Sequence, residues 1–228
     1  MNAPVKIDFV SDVSCPWCVI GLRALQQAIA RVDGDAAVDI HFQPFELNPD
    51  MGADGEDTTE HLAKKYRMTP EQAASNRESI RARGAALGFE FRLDKRNRIY
   101  NTFDAHRLLH WAELEGKQLA LKEALFAAYF THGESPASHA VLVRIAAEVG
   151  LDESRAREIL ADDSYTAEVR ERERYYLDNG IHAVPAVIIN ERFLISGGQP
   201  AEVFERALRQ AVAETNSTSN ATSNAASA

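Results

Sequence analysis

The chain has 228 residues, 45% of them hydrophobic, with 34 acidic against 25 basic side chains and a formal net charge of −9. That is enough apolar material for one large domain, or for a domain carrying an elaborate insertion. The acidic balance argues against nucleic acid as a partner, because phosphates reward Lys and Arg, and no apolar run reaches the length of a membrane span.

In chain order, the opening MNAPVKIDFVSD has no basic segment followed by a long apolar one, so no secretory signal is expected and the protein is read as cytoplasmic. Within it VKIDFV has the alternation and residue types of a strand. Ser14 and Cys15 follow, then Pro16, Trp17 and Cys18, and Leu22, Leu25, Ile29 and Val32 recur at helical spacing. Pro16 suits the first turn of a helix, and Ser14 is the expected N-cap. VDIHFQPFEL reads as a second strand ending near Pro44, which completes a β-α-β opening.

From about Thr58 to about Asp162 the pattern is almost wholly helical. TPEQAASNRESIRARGAALG begins with Thr69 before Pro70 and closes at Gly88, while NTFDAHRLLHWAELEG, LALKEALFAAYFTHG and SHAVLVRIAAEVG each end on glycine. YTAEVRERERYYLDNG is expected to be a helix with a solvated Arg/Glu face. AVPAVIIN and RFLIS read as strands joined by a turn at Asn190 and Glu191. A final helix carries Val203, Phe204, Ala207, Leu208 and Ala211 on one face. The division expected is 1–50, a helical insertion over 51–163, a closing α/β part over 164–214 and a disordered tail over 215–228. Two N-x-S/T matches in that tail are assigned no role without a secretory signal.

Cys15 and Cys18 are the only cysteines. In a reducing cytosol such a pair more naturally reacts or binds metal than staples the fold. A structural zinc site wants four ligands, and no finger-like His pair follows, so no metal is expected; His106 and His110 lie four apart on a helix but lack further marked ligands. The thiolate is the attacking species in disulfide exchange, and a helix N-terminus favours an anion. Cys15 at that terminus is therefore expected to be exposed and to attack. Cys18, one turn later and more buried, is expected to resolve the mixed disulfide.

SDVSCPWCVIG resembles the active-site stretch of the DsbA family, most closely its FrnE-like branch. AVPAVIINERFLISGGQP, FQPFELNPDM and NTFDAHRLLHWA resemble that branch too, so the likeness runs from about Lys6 to about Glu214. It implies an α/β class, thioredoxin-like fold interrupted by a large all-helical domain. It also implies a cis bond before Pro185, facing the cysteines and exposing the Val184 backbone to an extended substrate. Strongly oxidising members carry histidine where Trp17 stands, so a less oxidising couple is expected. Asp12 reads as a turn residue, or else as a proton acceptor beside Cys15.

In related glutathione-using isomerases and kappa-class transferases, regions corresponding to Phe45–Asn48 and to Asn101, Asp104 and His106 help bind glutathione. Phe45, Asn48, Asn101 and His106 are thus candidate contacts for substrate or for glutathione as co-substrate, and Arg92, Lys95, Arg96 and Arg98 form either a solvated loop or an attractor of its carboxylates. The expected activity is thiol–disulfide exchange on a protein or small-molecule disulfide or thiol, with no bound cofactor. The alternative is a glutathione-dependent isomerase or transferase of the 2-hydroxychromene-2-carboxylate isomerase type; those relatives carry serine where Cys15 stands. A cysteine-independent holder of unfolded chains is a third reading. No feature of the sequence marks an oligomeric interface.

Overall fold

The computed structural model describes residues 4–32, 37–52 and 54–225, with side chains described as far as residue 214. Strand β1 (Val5–Ser11) leads into helix α1 (Pro16–Arg31) and then strand β2 (Val38–Pro44), which pairs parallel with β1. A hairpin of β5 (Ala186–Ile189) and β6 (Phe193–Ser196) adds to the other side of β1, antiparallel, giving the order β2-β1-β5-β6. Asn190 and Glu191 turn the hairpin at φ 49° and 58°, the left-handed conformations a two-residue hairpin loop demands.

Alternation along β1 separates the two faces of the sheet. Val5, Ile7 and Phe9 enter the core shared with α1 and with helix α9 (Ala201–Ala225), whose Phe204, Leu208 and Ala211 are fully buried. Val10 faces the other way, onto Tyr176 and Ile181. The backbone of α9 stays helical as far as Ala225, past the expected boundary at 214; the side chains of 215–225, and residues 226–228, lie outside the described residues.

Between β2 and β5 run α2 (Thr58–Tyr66), α3 (Pro70–Ala86), α4 (Phe103–Leu114), α5 (Gln118–Ala127), α6 (His139–Glu148), α7 (Glu153–Ala161) and α8 (Thr166–Asp178). Asp57, Ser138 and Asp152 accept first-turn N–H groups, and Thr69 forms a reciprocal capping box with Gln72. Two features exceed the helical pattern. Glu56–Asp57 (β3) pairs with Arg98–Ile99 (β4), and α5 continues as a π-helical turn over Ala128–His132. Two-residue strands carry no readable period, and the π turn keeps a helical composition.

The insertion also covers the β2 edge of the sheet. Gln118 Oε1 accepts the Phe42 N–H at 2.8 Å, and Gln118 Nε2 donates to the Phe42 carbonyl at 3.0 Å. The side-chain amide thus stands where a neighbouring strand would otherwise pair.

Candidate active site

The turn after β1 is organised by Asp12, which is fully buried. Its Oδ1 accepts the Ser14 N–H at 3.0 Å and its Oδ2 accepts the Leu47 N–H at 2.7 Å, which is the turn role. Burial pushes this carboxyl up, but the His106 ring and those two N–H groups outweigh it, and the group sits below its ordinary range. The expected N-cap shifts by one residue. Cys15 occupies it in an extended conformation, φ −92° and ψ 112°, with Pro16 next; the Ser14 hydroxyl makes no hydrogen bond among the described residues. Asp12 already binds the Ser14 N–H, so α1 starts one position later.

Cys18 follows one turn on, its N–H donating to the Cys15 carbonyl at 3.1 Å. Both cysteines are free thiols. Burial pushes the Cys18 thiol well above its ordinary range and a hydrogen bond with Cys15 adds to that, while the charge of Lys122 pulls the other way. Cys15 donates its S–H to the Val184 carbonyl at 3.7 Å, and the Val184–Pro185 bond is cis. Gly21 lets α1 approach that proline: a Cβ there would lie 3.1 Å from Pro185 Cγ.

Cys15 departs from its expected exposure, being only 3% exposed. It lines a cavity of about 530 Å³. Trp17 and Val184 form the near wall, Phe45 and Asn48 line it from the loop after β2, and α2 and α3 cover it with His61, Lys65, Tyr66 and Arg77. The insertion therefore roofs the sulfur that a bare thioredoxin-like half would leave open. Trp17 is half-buried, with the Arg83 guanidinium 5.0 Å from its ring.

Of the cluster Arg92, Lys95, Arg96 and Arg98, Arg96 reaches this cavity, its guanidinium over the rings of Tyr129 and Phe130 at 4.9 and 5.2 Å. Arg92 pairs with Asp94, and Arg98 donates to the carbonyls of Asp54 and Gly55.

Two expected contacts lie outside this wall. Asn101 is used locally, its Oδ1 accepting the Phe103 N–H at 2.8 Å and its Nδ2 donating to Glu46 and to the Pro49 carbonyl, each at 3.2 Å. His106 is 3% exposed and sits behind the cysteine turn, its Nε2 3.8 Å from Asp12 Oδ1. Asp104 binds Arg107 and His139, both within the insertion. Among the described residues no group of three or more His, Cys, Asp or Glu side chains is arranged to hold a metal ion.

Sequence reading missed Lys122. It is fully buried and lies over the rings of Phe42 and Phe126 at 5.7 and 5.1 Å. Burial lowers its pKa to about 8, with Cys18, Asp12 and Cys15 holding it up. A lysine flanked by Leu121, Leu125 and Phe126 on the apolar stripe of α5 was the available signal.

A family model described as DSBA-like thioredoxin domain matches residues 6–209. The chain belongs to the DSBA-like thioredoxin family. A crystal structure of the probable DsbA oxidoreductase SCO1869 from Streptomyces coelicolor is 36% identical, with a TM-score of 0.85 over 92% of this chain and 91% of that one. The uncharacterized protein YwbO of Bacillus subtilis (strain 168) is 28% identical over 205 residues, covering 90% of this chain and 96% of its own length. The cytosolic disulfide reductase DsbM from Pseudomonas aeruginosa, solved with GSH, shares the fold at a TM-score of 0.61 and 18% identity over 90% of this chain and 98% of that one. The expected α/β thioredoxin-like fold with a helical insertion is thus the DSBA-like fold. No helix among the described residues is long and apolar enough to cross a membrane.

Proposed function

We propose that this DSBA-like protein is a thiol–disulfide oxidoreductase of the FrnE-like type, with CPWC as its redox couple. The observation that carries the reading is Cys15 at the N-terminus of α1, opening onto the cavity, with Cys18 hydrogen-bonded behind it. The Cys15 thiolate attacks one sulfur of a substrate disulfide; that S–S bond breaks and its electron pair leaves on the other sulfur. Cys18 then loses its proton and attacks Cys15, and the second substrate sulfur departs as a thiolate. Cys15 and Cys18 end as a disulfide, oxidised by two electrons, and the substrate ends as two thiols. The reverse sequence oxidises a dithiol. Sulfur carries the electrons throughout, so the proposal names no cofactor.

The cavity favours a small anionic disulfide such as glutathione disulfide as one substrate. Its volume of about 530 Å³ is that of a small-ligand site, and Lys65, Arg77 and Arg96 line it against one carboxylate, Glu46. DsbM, which shares the fold, was solved with GSH. The corresponding place for the protein is the cytosol, where glutathione sets the thiol balance.

The test is a redox titration in glutathione buffers, read by thiol alkylation and intact mass. The expected result is a reversible Cys15–Cys18 disulfide at a defined potential. If no internal disulfide forms at any ratio and glutathione binds without linkage, the reading fails and a glutathione-dependent isomerase replaces it.

A further inference from the structure

Behind the redox pair, at the β2 edge of the sheet, lies a second cavity of about 10 Å³. That is room for about one water. Its wall includes His106, His110 and Lys122. His106 Nε2, His110 Nδ1 and Lys122 Nζ are buried atoms that make no hydrogen bond among the described residues. Buried polar groups of this kind are normally satisfied, by ordered water where protein offers nothing. Three such atoms around one water-sized space are a built polar site.

The site has two ends. Lys122 Nζ stands within electrostatic reach of Cys18, Asp12 and Cys15. His110, Gln43 and Arg172 also line a larger open groove of about 700 Å³ along α8, apart from the cavity over Cys15. The groove carries Lys6 and Asp8 of β1, the face opposite Ile7 and Phe9. The small cavity thus bridges the buried sulfur and solvent on the far side of the sheet.

We infer that Lys122, His106 and His110, with one water in this cavity, form a proton relay that carries the Cys18 proton to and from the α8 groove. The inference rests on the dithiol reading above. In the resolving step the Cys18 sulfur forms its bond to Cys15, and the electron pair of the broken mixed disulfide leaves on the substrate sulfur. The Cys18 proton passes through the water and Lys122 to the imidazole of His110, and from there to solvent. The substrate thiolate takes up its own proton in the cavity over Cys15, so the proton released and the proton consumed travel on opposite sides of the sheet.

The groups around Lys122 fit this task. Cys15, Cys18 and Asp12 face it from the start of α1 and the turn before it, His106 and His110 from α4, and Arg172 from α8; β2 contributes Gln43, which does not titrate. Glu46 stands near His106. Burial and the charge of Arg172 lower the pKa of His110, which keeps its ring neutral and able to accept a proton at neutral pH. All three relay groups act through the water or through one another, and are positioning residues.

The test follows resolution of a nitrothiobenzoate mixed disulfide preformed on Cys15, by release of the coloured thiolate as a function of pH, in H2O and D2O. Lys122→Met is expected to slow release about tenfold near pH 7 and to move the profile upward by about one unit. His110→Phe keeps an aromatic ring beside Tyr165 and leaves Lys122 in place; it is expected to slow release severalfold and to change the solvent isotope effect. A His110→Phe protein with wild-type rate, profile and isotope effect overturns the relay, whatever Lys122→Met does, because a lysine acting by its charge alone would not involve His110. Absence of any Cys18-dependent release in the wild-type protein would instead sink the dithiol reading itself.

Discussion

Cys15 Sγ lies 3.7 Å from the carbonyl oxygen of Val184 and donates its hydrogen to it. The sulfur that meets the substrate is thus set beside a stretch of backbone that an extended peptide or a glutathione-like chain can pair with. Cys18 has no such outlet, being fully buried within the core shared by α1 and α9.

That asymmetry predicts which variant traps substrate. Cys18→Ser keeps Cys15 on the cavity but removes the resolving sulfur, so it accumulates a covalent adduct on Cys15 when treated with glutathione disulfide. Cys15→Ser forms none. Intact mass before and after reduction checks both, and an adduct on Cys18 in the Cys15→Ser protein would reverse the assigned roles.

Trp17 supplies an apolar ring and a single N–H beside the cysteines, and its ring faces the Arg83 guanidinium at 5.0 Å. Trp17→His places a titratable donor there and is expected to make the couple more oxidising. The equilibrium constant with glutathione should shift about tenfold, or about 30 mV. A potential that stays put, or moves the other way, removes Trp17 from the control of the couple.

Gly84 sits in α3 where alanine would ordinarily help a helix by about 1 kcal/mol. Here a Cβ would fall 2.5 Å from Phe91 Cε2 and 3.0 Å from the Phe89 carbonyl oxygen, and Phe91 is 4% exposed. Gly84→Ala is therefore expected to destabilise the protein by about 1–3 kcal/mol. Urea unfolding at constant slope measures it; a stabilised variant would mean that Phe91 moves aside freely.

Asp12 titrates below its unfolded-state value of about 3.9, so its contribution to stability is complete above that pH and fades as pH falls through the lower folded-state value. Asp12→Asn offers one good acceptor to two N–H groups and is expected to cost about 1–3 kcal/mol near neutral pH. The difference between variant and wild type should shrink in acid. Unfolding midpoints at about pH 7 and about pH 3 check the sign.

Much of this was legible in the chain, for identifiable reasons. β1, α1 and β2 announce themselves through alternation, Pro16 and the spacing of Leu22, Leu25 and Ile29, and the Asn190–Glu191 turn separates two short β-rich runs. The local role of Asp12 was readable because Asp bonds to nearby backbone wherever a turn allows it. The covering of Cys15 was not readable, since it depends on where α2 and α3 pack rather than on what they contain. Asn101 and His106 were drawn to the site by resemblance, and packing spends them on a helix start and on the back of the cysteine turn. Lys122 was hidden in an ordinary-looking amphipathic helix, where one charge on the apolar stripe passes for noise.

The pairing of the Gln118 amide with both backbone groups of Phe42 makes the inserted helices part of the sheet's hydrogen bonding rather than a separable attachment. Cutting them out would leave β2 with a raw flank ready to pair with a neighbouring molecule, and would strip the lid from Cys15 in the same operation. The two regions are therefore bound to change together: a helical module borrowed from a relative works here only if it brings its own stopper for that strand.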